Sequence, residues 1–340
     1  MTTIFTNQDK YARYITLLCL ILIVGISPLK LYEDIPWGDE LVMVGVAKRF
    51  PDYHTELLDY TAGQDLDFVN KNYEHYSLVY DVEFYCHPPI AVILSYPLVR
   101  ITDNLKLLRI FSWLVFSLTI AALFYLLYEE RKEWLYLVLP AVVMLLGFGI
   151  ICNATNTFYH DTFMLAFLTG SIFLWRFRDG KYRKFSYITL ALMVNCKIYA
   201  FLFLIPFMFQ ERKVILLSLT LLPYFIWAYF STGNFFFPIT HRAITVASVK
   251  SPITLLIFEG KIYGALVKFY EVASNLFWEY FPFLIGSSLL AITAVREKNY
   301  QWFSLWVIAL FIPFSWGIYY YHMFPLYFCT PLLLLKGKNG

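Results

Sequence analysis

The sequence predicts an all-α protein, a polytopic bundle of transmembrane helices with about 8 to 10 membrane segments, some of them re-entrant. Of its 340 residues, 59% are hydrophobic and only 15% are charged, which is too apolar for a domain surrounded by water. The stretches Tyr14 to Lys30, Leu108 to Tyr128 and Trp134 to Ile151 are apolar on every face, whereas strands of a transmembrane barrel alternate apolar and polar residues. We therefore expect residues 1–340 to form one membrane domain.

The first transmembrane helix is predicted at residues 14–31, and an acidic loop follows it. Lys10 and Arg13 precede the apolar run and no small-residue cleavage site follows it, so we interpret it as a retained signal anchor. Residues 32–87 carry twelve acids against three basic residues, a local net charge of about −9 (three minus twelve). Cytoplasmic loops are usually rich in lysine and arginine, so the N-terminus is predicted inside and this loop outside. We expect short interfacial helices within the loop.

The rest of the chain is divided by its apolar and basic segments. Transmembrane helices of the core are predicted at residues 88–231, a second outer loop at 232–275 and C-terminal transmembrane helices at 276–335. The second loop contains an amphipathic stretch near Ile253 to Tyr270. The basic cluster from Arg176 to Lys184 and the tail lysines Lys336 and Lys338 are predicted to be cytoplasmic.

Counting crossings in this orientation fails first in the region before residue 175. Four crossings there would return the basic cluster after residue 175 to the outside. The weakest segment is His87 to Leu98, which contains three prolines and whose apolar core covers only roughly 18 Å at 1.5 Å per residue. We interpret it as a partial or interfacial helix, although Arg100, Lys106 and Arg109 would fit better on the inner side.

The count fails again at Ser186 to Gln210, which has basic residues before it and after it. If both ends are inside, the segment enters the membrane and returns, with Asn195 and Lys197 at its tip. Irregular backbone at that depth is tolerated only where it is buried in protein or faces a wet cavity.

The first candidate site residues stand just beyond outer ends of apolar segments. Asp39 and Glu40 precede the apolar helical pattern from Leu41 to Phe50, where a carboxylate can act as a general base at the membrane surface. Asp39 is equally a favoured N-cap for that helix. His87 stands before Pro88 and Pro89, and a plain helix start explains the prolines equally well.

Two further candidates lie within or beside apolar segments. Asp161, next to His160, starts a helix at its outer end, where an acid also favours the helix dipole. It is nevertheless a second outward carboxylate that can converge with Asp39, and paired carboxylates often divide acid and base work. Lys197 lies deep in an apolar segment, where an ionisable side chain costs about 2.5 kcal/mol or more. We interpret Lys197 as an anion contact rather than as a lysine that reaches back to the surface.

The order of these motifs resembles the GT-C superfamily of membrane glycosyltransferases, and within it the protein O-mannosyltransferases and aminoarabinose transferases. The matching residues are Asp39-Glu40, His87-Pro88-Pro89-Ile90, Tyr159-His160-Asp161, and Leu190 to Pro206 around Lys197. The resemblance implies transfer of a sugar from a polyprenyl-phosphate-linked donor to a lipid, glycan or protein acceptor. The reaction is expected on the outer face of the cell (inner) membrane.

The same resemblance implies roles for individual residues. Asp39 is the general base that activates the acceptor, Glu40 supports it, and Asp161 positions the acceptor or shares the electrostatics of the site. Lys197, with His87 or Arg242, neutralises the phosphate of the leaving lipid, and Tyr159 and His160 are further candidates. No metal and no cofactor other than the lipid-linked donor is expected.

Other functions fit parts of the pattern. A multi-pass transporter or flippase of a lipid-linked or anionic substrate would also have many helices and a buried lysine, although no internal repeat is evident. A polymerase or ligase of envelope polysaccharides would share the topology, and a structural membrane subunit would need no site at all. A nucleic-acid partner is not indicated, because the net charge is only +3 and the basic residues lie in connectors.

Overall fold

The described part of the protein is helical. The computed structural model describes residues 2–30, 38–50, 88–102, 104–147, 149–150, 158, 160–176, 180–235, 252–257, 260–316 and 320–336. No β-strand occurs among these residues, which confirms the predicted all-α class for them. Three helical stretches are long and apolar enough to cross a membrane: Leu105–Arg131, Arg212–Phe230 and Ile262–Arg296. These helices support membrane association, while the number of crossings stays a prediction.

The helices follow one another along the chain with short connections. They are α1 (Thr2–Ile26, followed by the 3₁₀ turn Ser27–Lys30), α2 (Gly38–Arg49), α3 (Ile90–Ile101), α4 (Leu105–Arg131), α5 (Leu135–Leu146), α6 (His160–Arg176), α7 (Gly180–Val194), the 3₁₀ helix Ile198–Leu204 leading into α8 (Ile205–Met208), the 3₁₀ helix Arg212–Leu221 leading into α9 (Leu222–Thr232), α10 (Pro252–Ile257), α11 (Ile262–Arg296), α12 (Tyr300–Trp316) and α13 (Tyr320–Leu332).

One end of the bundle is held together by ion pairs and is called the basic end. It comprises residues 129–134, 176, 183–184, 210–213, 296–299 and 333–336. Arg131 Nη2 lies 2.6 Å from Glu297 Oε2, and Arg176 Nε lies 2.7 Å from Glu130 Oε1. The N–H of Lys336 donates to Glu130 at 2.7 Å. These contacts bring the ends of α4, α6, α11 and α13 together, so the basic groups that were predicted to share one side do lie at one end.

The first helix also has its charged part at the basic end. The side chain of Asp9 accepts a hydrogen bond from the N–H of Trp134 at 2.7 Å, and the Arg13 guanidinium lies over the Trp134 ring. At the opposite end of α1, the Trp113 indole donates to the carbonyl of Val24 at 3.0 Å. The uncharged part of α1, residues 14–26, is about 20 Å long. The predicted span 14–31 therefore consists of this part and the 3₁₀ turn after it.

Helix α4 explains the first failure in the count of crossings. Its 27 residues cover about 40 Å, from a cap at Asn104, whose side chain accepts from the N–H of Lys106, to Arg131 at the basic end. Because α1 leaves the basic end and α4 returns to it, α3 lies between them without a crossing of its own. This agrees with the partial helix predicted for His87 to Leu98. The expectation that Arg100, Lys106 and Arg109 fit the inner side is wrong, because they lie far from Arg131 along α4 or before it.

The segment 186–210 folds back on itself as a hairpin. The Trp175 ring lies 5.6 Å from the ring of Tyr187 and 5.3 Å from the ring of Phe207, so both ends of the segment touch the same side chain. Arg183 and Glu211, just outside the segment, form an ion pair. The arms, residues 183–194 and 198–208, each cover about 20 Å, with the turn at residues 195–197. The geometry matches the predicted return of the chain; its depth in a membrane stays a prediction.

The C-terminal helices pack closely on α5. A Cβ atom built on Gly286 of α11 would lie 2.6 Å from a methyl carbon of Val143 in α5, so only glycine fits there. Helix α11 begins at Ile262, well before the predicted span at residue 276, and has non-helical backbone angles at Tyr280, close to Pro282. The predicted boundary between the second outer loop and the last helices therefore falls inside one continuous, kinked helix.

Candidate functional site

The predicted site residues fall into two groups. Glu40, His160, Asp161 and Lys197 have described side chains, and all four are buried. Asp39 lies in α2 beside Glu40, but its side chain is outside the described set, as are the residues His87, Tyr159 and Arg242. The described four can therefore be placed in a site, while the positions of the other side chains stay predictions.

Asp161 and Lys197 form a buried ion pair between α6 and the tip of the hairpin. Lys197 Nζ donates to Asp161 Oδ2, and the Tyr199 hydroxyl donates to Asp161 Oδ1 at 2.5 Å. The ammonium also lies 5.0 Å from the centroid of the Tyr199 ring, a cation–π contact. Asp161 and Lys197 are only 2% and 1% exposed. Their charges compensate each other, which makes burial of both tolerable.

Local backbone structure places Lys197 at this position. Helix α7 ends at Val194, and Lys197 has extended backbone angles (φ −153°, ψ 139°) before the 3₁₀ helix begins at Ile198. This break turns the chain and points the lysine toward the first turn of α6. The Asn195 side chain donates to Thr220 Oγ1 at 2.8 Å, which ties the tip to the following 3₁₀ helix.

A second buried ion pair joins α2 to α4. Arg109 donates to Glu40 from Nη2 at 2.7 Å and from Nε at 3.0 and 3.2 Å, a forked arrangement that suits guanidinium and carboxylate. The backbone N–H of Phe158 donates to Glu40 Oε1 at 3.0 Å. Glu40 is fully buried and Arg109 is 2% exposed. The start of α2 is thereby fixed to the bundle.

The two ion pairs lie on either side of the start of α6. Phe158, which binds Glu40, precedes Asp161 by three residues, and its ring lies 6.0 Å from the ring of Phe163 in α6. We call Glu40, Arg109, Asp161, Lys197 and Tyr199 the paired-ion cluster. Its distance from the basic end along α6, from Asp161 to Arg176, is about 22 Å.

The start of α3 lies beside the same cluster. The N–H of Ile90 donates to the carbonyl of Asn195 at 3.3 Å, which joins the Pro88-Pro89 run to the tip of the hairpin. His160 is fully buried at the first position of α6. Four motifs that are far apart in the sequence, at residues 39–40, 87–90, 159–161 and 195–197, therefore meet in one region through their described members.

Sequence reasoning missed two members of the cluster, Arg109 and Tyr199. Arg109 lies inside the apolar run from residue 108, so the rule that singled out Lys197, an ionisable residue within a span, applies to it as well. Tyr199 follows Lys197 by two residues, and no sequence pattern distinguishes it from the many other tyrosines. Its role depends on the 3₁₀ geometry after the tip.

The cluster is chemically a set of held charges. Asp161 and Glu40 each accept hydrogen bonds from protein donors at both carboxylate oxygens. They therefore position two cations in a medium of low dielectric constant, where interactions with an anion are strong. Within the described ranges, no group of three or more His, Cys, Asp or Glu residues is arranged to hold a metal ion. The predicted independence from metal is not tested by this observation.

Comparisons with protein-family models, curated proteins and solved structures gave no match to this chain. The site is thus interpreted from its own geometry and chemistry.

Proposed function

We propose that the protein is a multi-pass membrane glycosyltransferase that moves a sugar from a polyprenyl-phosphate-linked donor to an acceptor on the outer face of the cell membrane. One observation carries the proposal: separate motifs converge on the paired-ion cluster, through Glu40, Ile90, Asp161 and Lys197. The transferase resemblance in the sequence rests on the same motifs in the same order. Their meeting in space is what a shared active site requires.

Asp39 is the proposed general base. It takes the proton from the acceptor hydroxyl or amine as that atom forms a bond to the anomeric carbon of the sugar. The bond between this carbon and the phosphate oxygen breaks, and the polyprenyl phosphate leaves with the electron pair. The neighbouring Glu40 supports Asp39 by fixing the first turn of α2 to Arg109. A base on an anchored helix keeps its position during the reaction.

The cations of the cluster are proposed to stabilise the leaving phosphate. Lys197 is the first candidate, because an ammonium has three N–H donors and phosphate can share it with Asp161. Arg109 is a second cation in the same region, and His87 and Arg242 keep the supporting roles that the resemblance implies. Charge that develops on the phosphate is stabilised strongly by fixed cations away from water.

One observation favours the second candidate, a transporter or flippase of a lipid-linked or anionic substrate. Transporters bind ions and substrates at discontinuous helices, and the hairpin is broken at Asn195–Lys197 beside a buried ion pair. The two functions differ in product. A transferase changes the mass of an acceptor, whereas a transporter changes only where a molecule is found.

The variant Asp39→Asn tests the transferase. We expect it to abolish transfer while the protein still inserts and folds, because the amide keeps the shape of the side chain but cannot accept the proton. Envelope glycolipids and glycoproteins are compared by mass spectrometry in cells that carry either form as the sole copy. The wild type should show one added sugar that the variant lacks. Glu271→Gln, which removes an exposed acid on α11, is the matched control and should keep the sugar.

Identical profiles for wild type and Asp39→Asn, with equal amounts of inserted protein, would contradict the proposal. The transporter would then be tested by following a labelled lipid-linked sugar across proteoliposomes. Transport that Lys197→Met abolishes would support that second function.

A further inference from the structure

The mouth of the hairpin carries a concentrated positive charge. It is defined by the residues at the two ends of the segment, Arg183, Lys184, Glu211, Arg212 and Lys213. Four of these are basic and one is acidic, which leaves a net charge of +3. Lys184, Arg212 and Lys213 are exposed. The hairpin brings the two basic pairs together, because Arg183 and Glu211 form an ion pair.

The single acid of the hairpin mouth is already engaged within the protein. Glu211 Oε2 accepts hydrogen bonds from Arg183 and, at 2.6 Å, from the Tyr187 hydroxyl. The Arg183 guanidinium also lies 4.9 Å from the centroid of the Trp175 ring. Arg183 therefore has a structural role, and the three exposed cations provide charge for a ligand.

Apolar side chains stand next to these charges. Phe185 follows Lys184 directly and is 51% exposed, Ile188 is 55% exposed one turn further along α7, and Phe209 is 58% exposed three residues before Arg212. A soluble anion has no use for such neighbours. A ligand with an anionic head and a hydrocarbon chain meets both features at once.

We propose that the hairpin mouth binds an anionic phospholipid, with the phosphate at Lys184, Arg212 and Lys213 and the acyl chains against Phe185 and Phe209. The basic end as a whole does not explain such a site, because its other acids pair with their basic neighbours: Glu130 with Arg176 and Glu297 with Arg131. The lipid would fix the two ends of the hairpin relative to the membrane surface. This binding does not depend on the proposed transferase activity.

The test is a titration of the purified full-length protein in detergent, followed by native mass spectrometry. The probes are phosphatidylglycerol and phosphatidylcholine with the same acyl chains. Each basic residue near an anionic lipid contributes about fivefold in affinity. We expect the double variant Arg212→Gln/Lys213→Gln to weaken phosphatidylglycerol binding about 25-fold, with phosphatidylcholine binding unchanged.

The matched control is Arg296→Gln/Lys298→Gln, which removes the same charge from exposed positions at the same end of the bundle. It should leave the affinity for phosphatidylglycerol within about twofold of wild type. Equal losses in both double variants would overturn the proposal in favour of a diffuse charge effect. Equal binding of the two lipids by the wild type would also overturn it. Displacement of phosphatidylglycerol by excess inorganic phosphate would show a site for a free anion instead.

Discussion

The substitution Asp161→Asn should destabilise the protein strongly, because Lys197 would remain buried without its counterion. The two side chains are 3% and 1% exposed and make a direct ion pair. Removing one partner of a buried pair typically costs about 3–5 kcal/mol of unfolding free energy. Lys197→Met should cost a similar amount, because it leaves a buried carboxylate with only the Tyr199 hydroxyl and its other neighbours.

The double variant Asp161→Asn/Lys197→Met removes both charges and so leaves neither uncompensated. We expect it to be more stable than either single variant, with a coupling free energy of about 3 kcal/mol in the double-mutant cycle. Unfolding free energies are measured in mixed micelles by titration with sodium dodecyl sulfate. Activity should not return with stability, because the proposed phosphate contact is absent.

An exposed pair supplies the control for this cycle. Lys268 and Glu271 are neighbours on α11, and their side chains are 37% and 50% exposed. Water screens such a pair, so its coupling should be about 0.5 kcal/mol or less. A coupling of that small size for Asp161 and Lys197 would refute the reasoning, since it would mean that water or other groups compensate the charges.

Two further predictions concern the hairpin and the helix packing. Phe185→Cys and Arg212→Cys, each made in a chain without native cysteines, should both react with an impermeant maleimide from the same side of the membrane; reaction from opposite sides would exclude the hairpin. Gly286→Ala should lower the unfolding free energy by about 1–3 kcal/mol, because its Cβ would clash with Val143. Gly170→Ala, which meets nothing within 4 Å, is the control and should be neutral or slightly stabilising in the same denaturation assay.

The path of the chain was largely predictable from length and charge. The prolines and short apolar core of residues 87–98 predicted a partial helix, and the basic residues flanking 186–210 predicted a return. The same charge rule failed at Arg109, because it describes residues that face water beside the membrane. Arg109 is buried and pairs with Glu40, which lies 69 residues earlier. A contact at that separation leaves no trace in the charge count.

The site was predictable in residue type but not in pairing. The cost of a charge in an apolar segment identified Lys197, and the positions of acids at helix starts identified Glu40 and Asp161. Which acid binds which cation depends on how α2, α4, α6 and the hairpin tip pack, and no local pattern encodes that packing. The sequence therefore predicted Asp161 as part of a catalytic pair with Asp39, whereas its described contacts are with Lys197 and Tyr199.

The two ends of the bundle differ in a way that bears on the choice between transferase and transporter. At the basic end, Arg131 donates to the carbonyl of Leu334 at 2.7 Å, and Asn299 donates to the carbonyl of Leu333 at 3.2 Å. These bonds satisfy backbone groups after α13 and hold the chain across this end. Between there and the paired-ion cluster, about 22 Å away along α6, Trp175 and Phe207 are buried against each other.

A transporter must open its site to both sides in turn, so it would have to break these bonds and separate these rings in every cycle. A transferase that works at the far surface needs no such opening. The closed basic end therefore favours an enzyme whose donor and acceptor both approach from the side of α2 and α3.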